Sequence, residues 1–315
     1  MATDKTAGTN TRSHSIEFLV SEFITRHLRS ARSGRKRPEY AERILNQDVL
    51  PAWRGRDART IGPDEVLALL DNIVDRGAPI MANRTAALLG QLFKFGIHRR
   101  IVESTPVQLL YPPGGKERPR ERALSEAELK AFLTHVDEVH RREIRTVHVL
   151  RVLLLTGQRR GELALARWSD IDFQKATWAI PDAHAKAGRG HVVPLSAWAV
   201  EEFMALKHLA GDSAFVFPTS DGRQAADGRL ITRSVARCTR AWKAHGVEVF
   251  TPHDLRRTCR TGLARLKVAP HLAERVLNHA QAKIAGTYDL HDYLEDKRDA
   301  LEKWAAHLNL LQASN

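Results

Sequence analysis

Thr251-Pro-His253-Asp-Leu-Arg256-Arg-Thr258, followed by His279 and then Tyr288, is the stretch of this 315-residue chain on which its reading turns. It opens as a helix: threonine is a natural N-cap, proline suits the first turn, and Asp254 falls at the third helical position in the manner of a capping box. His253 and Arg256, three apart, then share one helix face, and the partial positive charge at the helix start favours an anion beside them. Upstream, Leu154-Leu-Thr-Gly-Gln-Arg159-Arg-Gly-Glu162-Leu offers a second arginine on a largely apolar segment. Lys186 lies between the two blocks, in a loop rich in glycine and charge.

These residue types suit one phosphate. Arg159 and Arg256 each present fixed paired donors that match phosphate oxygens, and a phosphodiester is attacked only when its charge is neutralised and the nucleophile is held in line. Tyr288 is the candidate nucleophile; a phosphotyrosyl ester would conserve the bond, so that rejoining needs neither nucleotide nor metal. Tyr293, the rival, sits in a helical pattern that suggests packing. His253 is placed either to take the tyrosine proton or to donate to a phosphate oxygen, and His279 to donate to a non-bridging oxygen. Lys186 is the candidate general acid for the leaving oxygen, with Arg189 on the same loop as the alternative. Glu162 would hold the Arg159 guanidinium or a histidine, or form a plain intrahelical ion pair. His184 and His191, seven apart on opposite strands, read as groove contacts rather than metal ligands. No metal and no cofactor are expected.

Composition points the same way. The net charge of +12 and a pI near 10.0 imply a polyanionic partner, nucleic acid or an anionic surface. The densest basic run holds Arg29, Arg32, Arg35, Lys36 and Arg37, which with Arg160, Arg189 and Arg257 are the expected contacts to a DNA backbone. No apolar run approaches the ~20 residues of a membrane helix, and two cysteines are too few for a disulfide framework. Both read as buried apolar thiols, and the expectation is a cytoplasmic protein that contacts no membrane.

Residues 1–13 are polar and aperiodic, an expected disordered tail. Helical spacing then recurs through residues 14–110, with segments from Ser15, from Pro38 to Val49 (ended by Leu50-Pro51), from Thr60 and from Ile80 to Arg100. Residues 111–122, with two glycines, three prolines and alternating charge, form a linker. From 123 to 315 the pattern is mixed. A hairpin of Thr177–Ile180 and His191–Val193 would place Lys186 on its turn, helices surround it, and a last helix from about His291 to Leu311 shows one apolar face. That face could dock on a neighbouring subunit or fold back on its own domain. The fold class is mainly α with a small antiparallel β-sheet.

Taken in order, Arg159, Lys186, His253, Arg256, His279 and Tyr288 make the chain resemble a tyrosine recombinase, a site-specific recombinase of the phage integrase family. Thr156-Gly-Gln-Arg159-Arg-Gly-Glu162-Leu with Trp168-Ser-Asp-Ile-Asp172 is similar to the family's first-arginine box, His253-Asp-Leu-Arg256 to its second, and Lys186 with Val193-Pro-Leu195 to its lysine hairpin. His279 precedes Tyr288 by the family's interval. The resemblance implies a helical core-binding domain (14–110) and a mixed α+β catalytic domain (123–315). It also implies double-stranded DNA as partner, strand exchange through a 3′-phosphotyrosine in a homo-tetramer on two sites (a monomer without DNA), accessory DNA-bending proteins, and a prokaryotic or phage origin. A type IB topoisomerase would use the same tyrosine chemistry, and a non-catalytic helical DNA-binding protein would explain the charge and helices but not the ordered set.

Overall fold

Ser15 starts the first helix: its hydroxyl accepts the Phe18 N–H, satisfying one of the donors a helix start leaves open. The computed structural model describes residues 13–30, 38–108, 111–118, 120–185, 188–279 and 291–314. Residues 1–12 of the expected tail (1–13), and the expected site residues Arg32, Arg35, Lys36, Arg37, Lys186 and Tyr288, lie outside the described residues.

The chain divides into two compact units, Met1–Arg120 and Glu121–Asn315. The first is helical: α1 (Ile16–Phe23), α2 (Pro38–Ile44), α3 (Leu50–Trp53), α4 (Pro63–Asp75) and α5 (Pro79–His98). Ile16, Leu19, Val20 and Phe23 recur at helical spacing and are buried with Leu70, Leu89, Leu92 and Phe93 in one core. The second helical segment does not stop before Pro51, contrary to the sequence reading. Leu45–Val49 continues α2 directly into α3, in which Pro51 is the second residue.

The second unit is built around α7 (Ile144–Thr156), in which Val147, Val149, Leu150 and the run Val152–Thr156 are all buried. Around it stand α6 (Glu126–Val139), α8 (Arg160–Leu165), α9 (Ala197–Ala210), α10 (Arg229–Arg237), α11 (Thr239–Ala244), α12 (Pro252–Arg265), α13 (Pro270–Val276) and α14 (Leu294–Ala313). Ser125 and Glu128 cap α6 reciprocally, and Arg122 grips Glu128 through both guanidinium nitrogens. The three-stranded antiparallel sheet runs β1 (Ile171–Asp172), β2 (Thr177–Ile180), β3 (His191–Pro194) in that order. The expected hairpin is present, with Ile180 opposite His191 and Thr177 opposite Pro194. Strand β1 was not anticipated; two residues carry no alternation, and only pairing with β2 defines it. Cys259 is buried, but Cys238 lies half-buried between α10 and α11 rather than in an apolar interior.

Helix α14 lies on its own unit. Ala300, Leu301, Trp304, Ala305 and Leu308 are buried, and the Trp304 indole N–H donates to the Leu154 carbonyl of α7 at 2.9 Å. Gly262 on α12 makes room for that indole, because any Cβ there would enter the Trp304 ring. Gly262→Ala is therefore expected to cost about 1–3 kcal/mol of overpacking. For a unit of this size that lowers the melting temperature by several degrees, at about 2–4 °C per kcal/mol, as scanning calorimetry would record. An unchanged melt would mean that α12 and α14 do not meet there.

Candidate functional site

Helix α12 begins as its sequence predicts. Asp254, fully buried, accepts the Thr251 N–H at 2.8 Å and the Thr251 hydroxyl at 3.0 Å, and its other oxygen accepts from Arg257 at 2.8 Å. His253 and Arg256 follow on one face. Arg256 is 2% exposed. Its guanidinium donates to the Gly157 carbonyl at 2.9 Å and to the Leu277 carbonyl, joining the end of α7 to the turn after α13. Burial, then the nearby Arg159, pull its pKa down to about 10, so it remains charged at neutral pH.

Arg159 stands at the N-cap of α8, not within a helix as the sequence suggested. Gly157 just before it closes α7 with φ 66°, and a side chain there would meet Leu277 at 2.7 Å and Cys259 at 3.0 Å; only glycine fits. Glu162, 2% exposed, reaches back to accept both the Arg159 backbone N–H (3.0 Å) and its guanidinium (2.9 Å). One carboxylate thus fixes both the cap and the side chain.

His253 is exposed as a residue, yet desolvation of its ring, then Arg257 and Arg256, hold its pKa below the ordinary histidine value. It is therefore neutral at pH 7 and able to accept a proton. His279 is also exposed; its Nδ1 meets Glu274, whose other oxygen accepts from Arg260 at 2.7 Å. The backbone leading to His279 is held from both sides, since Val276 and Leu277 lend their carbonyls to Gln158 and Arg256 and the Asn278 amide donates to the Arg189 carbonyl at 2.9 Å. Arg159, Arg256 and His253 thus share one electrostatic neighbourhood, and the turn bearing His279 is tied to it.

Two residues that the sequence reading did not select belong here. Gln158 is 1% exposed and fully bonded: its amide nitrogen donates to the Thr156 and Val276 carbonyls, both at 2.8 Å. Its oxygen accepts from His191 Nε2 at 3.1 Å. His191, read from the sequence as a groove contact, is half-buried and bonded inward to Gln158. Burial, then Lys297, Arg256, Arg159 and Arg189, drive its pKa down to about 3, and its buried Nδ1 has no partner among the described residues. Lys297 of α14, itself buried, donates to the Val192 carbonyl at 2.8 Å. Gln158 lies inside the first-arginine box and His191 two residues before Val193-Pro-Leu195, but nothing in either motif shows that the two side chains meet.

A pH dependence follows from His191. As the pH falls, an unfolded chain takes up this proton near 6.5, whereas folded His191 resists protonation until about 3. Folding stability must therefore drop across that window. At pH 4.5 the loss is of order 2 kcal/mol. Urea melts at pH 7.5 and 4.5 should show a smaller acid penalty for His191→Gln than for the parent chain; equal penalties would mean that the imidazole is not buried among cations.

Of the expected DNA contacts, Arg29 is held by both oxygens of Glu42 at 2.7 Å and Arg257 by Asp254, while Arg160 and Arg189 make no ion pair among the described residues. Tyr293, with φ 53° before α14, donates its N–H to His291 Nδ1 and lies under the Arg275 guanidinium, 4.1 Å from its ring centroid. One group with metal-ligand chemistry occurs among the described residues: His135, Glu138 and His245. Its two imidazoles stack at 3.9 Å with 17° between planes, so their lone pairs run parallel instead of converging on an ion. No helix is long and apolar enough to cross a membrane among the described residues.

Comparison with known proteins decides the family. The phage integrase family matches residues 122–295, and the phage integrase central domain matches residues 17–111. The chain belongs to the phage integrase family. Prophage integrase IntZ of Escherichia coli K12 is 31% identical over 294 residues, spanning 91% of this chain and 70% of that protein. The integrase of Enterobacteria phage P4 is 23% identical over 317 residues, spanning 96% and 71%. The fold is that of lambda integrase: a dimer bound to a COC′ core site matches with TM-score 0.67 at 19% identity (87% of this chain, 95% of that one). A lambda integrase tetramer bound to a Holliday junction matches with TM-score 0.69 at 19% identity (88% and 78%). The chain is accordingly a tyrosine recombinase, an enzyme of site-specific recombination, as its motifs implied.

Proposed function

We propose that this integrase-family chain cuts and rejoins duplex DNA through a 3′-phosphotyrosyl bond at Tyr288, within a tetramer on two DNA sites in the bacterial cytoplasm. The observation that carries the reading is Arg256. It is a buried, charged guanidinium whose contacts are main-chain carbonyls rather than a carboxylate. A buried charge whose bonds are to neutral carbonyls is costly, with Glu162 and Glu274 nearby rather than bonded to it, and among the described residues only two of its five N–H groups are used, leaving the others for an anion. A scissile phosphate meets that demand, with Arg159 as the second arm of the clamp.

In this reading the tyrosine oxygen attacks phosphorus, the bond to the 5′-oxygen breaks, and Lys186 (or Arg189) delivers the proton that makes the 5′-hydroxyl. Neutral His253 takes the tyrosine proton or donates to the phosphate, and His279 donates to a non-bridging oxygen. Glu162 fixes Arg159. Residues 14–110 serve as the core-binding domain and 123–315 as the catalytic domain, joined by 111–122. Arg160, Arg189 and the basic run from Arg29 to Arg37 face the DNA backbone, and accessory bending proteins assist where the sites must be looped.

The test needs no known site. The protein is incubated with a library of duplex fragments from bacterial genomes, denatured with SDS, and the covalently attached DNA is sequenced. Adducts sharing one sequence, together with resolution of a four-way junction built on it, support the recombinase. Adducts without shared sequence, accompanied by plasmid relaxation, favour a topoisomerase-like swivel. Binding without adducts leaves only a DNA-binding module.

A further inference from the structure

Three parts of the site meet at the amide of Gln158. Its nitrogen holds the end of α7 through Thr156 and the end of α13 through Val276, and its oxygen holds β3 through His191. Arg159 follows it directly in the chain. The carbonyl before it, Gly157, and the one after Val276, Leu277, are the two that Arg256 grips. A movement of Gln158 therefore moves the backbone of Arg159 and both supports of Arg256 together. His191 supplies the third bond and ties the Gln158 amide to the sheet. Resting on the phosphate-clamp reading above, we propose that His191 is a positioning residue for strand cleavage and rejoining, acting through Gln158 to register the lysine hairpin against the two arginines.

Chemistry supports a donor and not a contact to DNA. With both amide hydrogens of Gln158 spent on carbonyls, only its oxygen faces His191, so the imidazole Nε2 must carry the hydrogen. Lys297 anchors the next residue, Val192, by its carbonyl, and Asn278 anchors Arg189, so β3 reaches the node already braced on either side of His191. A group so placed changes where the arginines stand rather than whether DNA binds. Misplacement of catalytic groups by an ångström costs up to about 100-fold in rate.

Two variants separate reach from polarity. A glutamine side chain carries its amide nitrogen to about the place of histidine Nε2, whereas asparagine stops near Nδ1. On a fragment that the wild-type protein attaches to covalently, His191→Asn is expected to slow adduct formation at saturating protein by roughly 10-fold to 100-fold, with DNA affinity unchanged. His191→Gln should recover most of the rate. As a readout independent of activity, the ring nitrogens in the wild-type NMR spectrum should show a neutral imidazole protonated at Nε2. Asn and Gln variants with equal rates, a loss explained by weaker DNA binding, or an Nδ1-protonated ring would each overturn the assignment. Absence of adducts from the wild-type protein would instead remove the clamp reading itself, while the NMR result would still decide the His191–Gln158 bond.

Discussion

Tyr288→Phe is expected to eliminate covalent DNA adducts while changing DNA affinity by no more than about twofold, and Tyr293→Phe to retain them. Loss of the phenolic oxygen removes the only atom that can form the ester, so the effect is total rather than graded. Removing one hydroxyl leaves the cationic surface that attracts DNA intact, which is why binding should survive. Tyr293 is the natural control because it is close in sequence and already occupied. Its ring lies under the Arg275 guanidinium and its backbone N–H is bonded to His291, contacts that Tyr293→Phe leaves in place. Gel shift and SDS capture on the same preparations give both readouts. Adducts that persist in Tyr288→Phe and vanish in Tyr293→Phe would assign the wrong tyrosine; adducts that persist in both would place the nucleophile elsewhere.

Local chemistry carried most of what could be read in the chain. The α12 start, the hairpin and the family were legible because caps, glycine-rich turns and short motifs depend on neighbours a few residues apart. The fold class followed from the same patterns. What escaped were bonds that only tertiary structure creates. His191 and Gln158 stand 33 residues apart, and a histidine on a strand carries no mark of the amide it will meet. The pairing of Arg29 with Glu42, 13 residues away, is likewise invisible to local pattern. The apolar face of α14 is the same whether it docks within one subunit or between two; Trp304 bonding to Leu154 and the space left by Gly262 place it within its own unit. The misplaced stop at Pro51 has a different origin, since proline breaks a helix interior but suits a first turn, and sequence alone does not distinguish a helix that ends from one that restarts.

Arg256→Ala should reduce adduct formation by about 100-fold to 1,000-fold, the scale on which removal of one transition-state donor acts in a dry site. The side chain also has a structural duty, and the two losses are separable. Without the guanidinium the Gly157 and Leu277 carbonyls are left in a buried space, each at a cost of about 1–3 kcal/mol, partly offset because a desolvated charge is no longer present. Stability should therefore fall modestly while the rate collapses. Arg256→Lys sharpens the point: an ammonium keeps the charge but cannot reproduce the fixed fork that spans two carbonyls and still faces a phosphate. Lysine is thus expected to keep more stability than alanine but recover little of the rate. Guanidinium ion added to the alanine variant can fill the vacated place and should raise its rate measurably, whereas ammonium at the same ionic strength should not. If Arg256→Ala cleaves at the wild-type rate, or if lysine restores it fully, the charge beside the phosphate would come from Arg159 alone, and Arg256 would be a structural strap between α7 and the turn after α13.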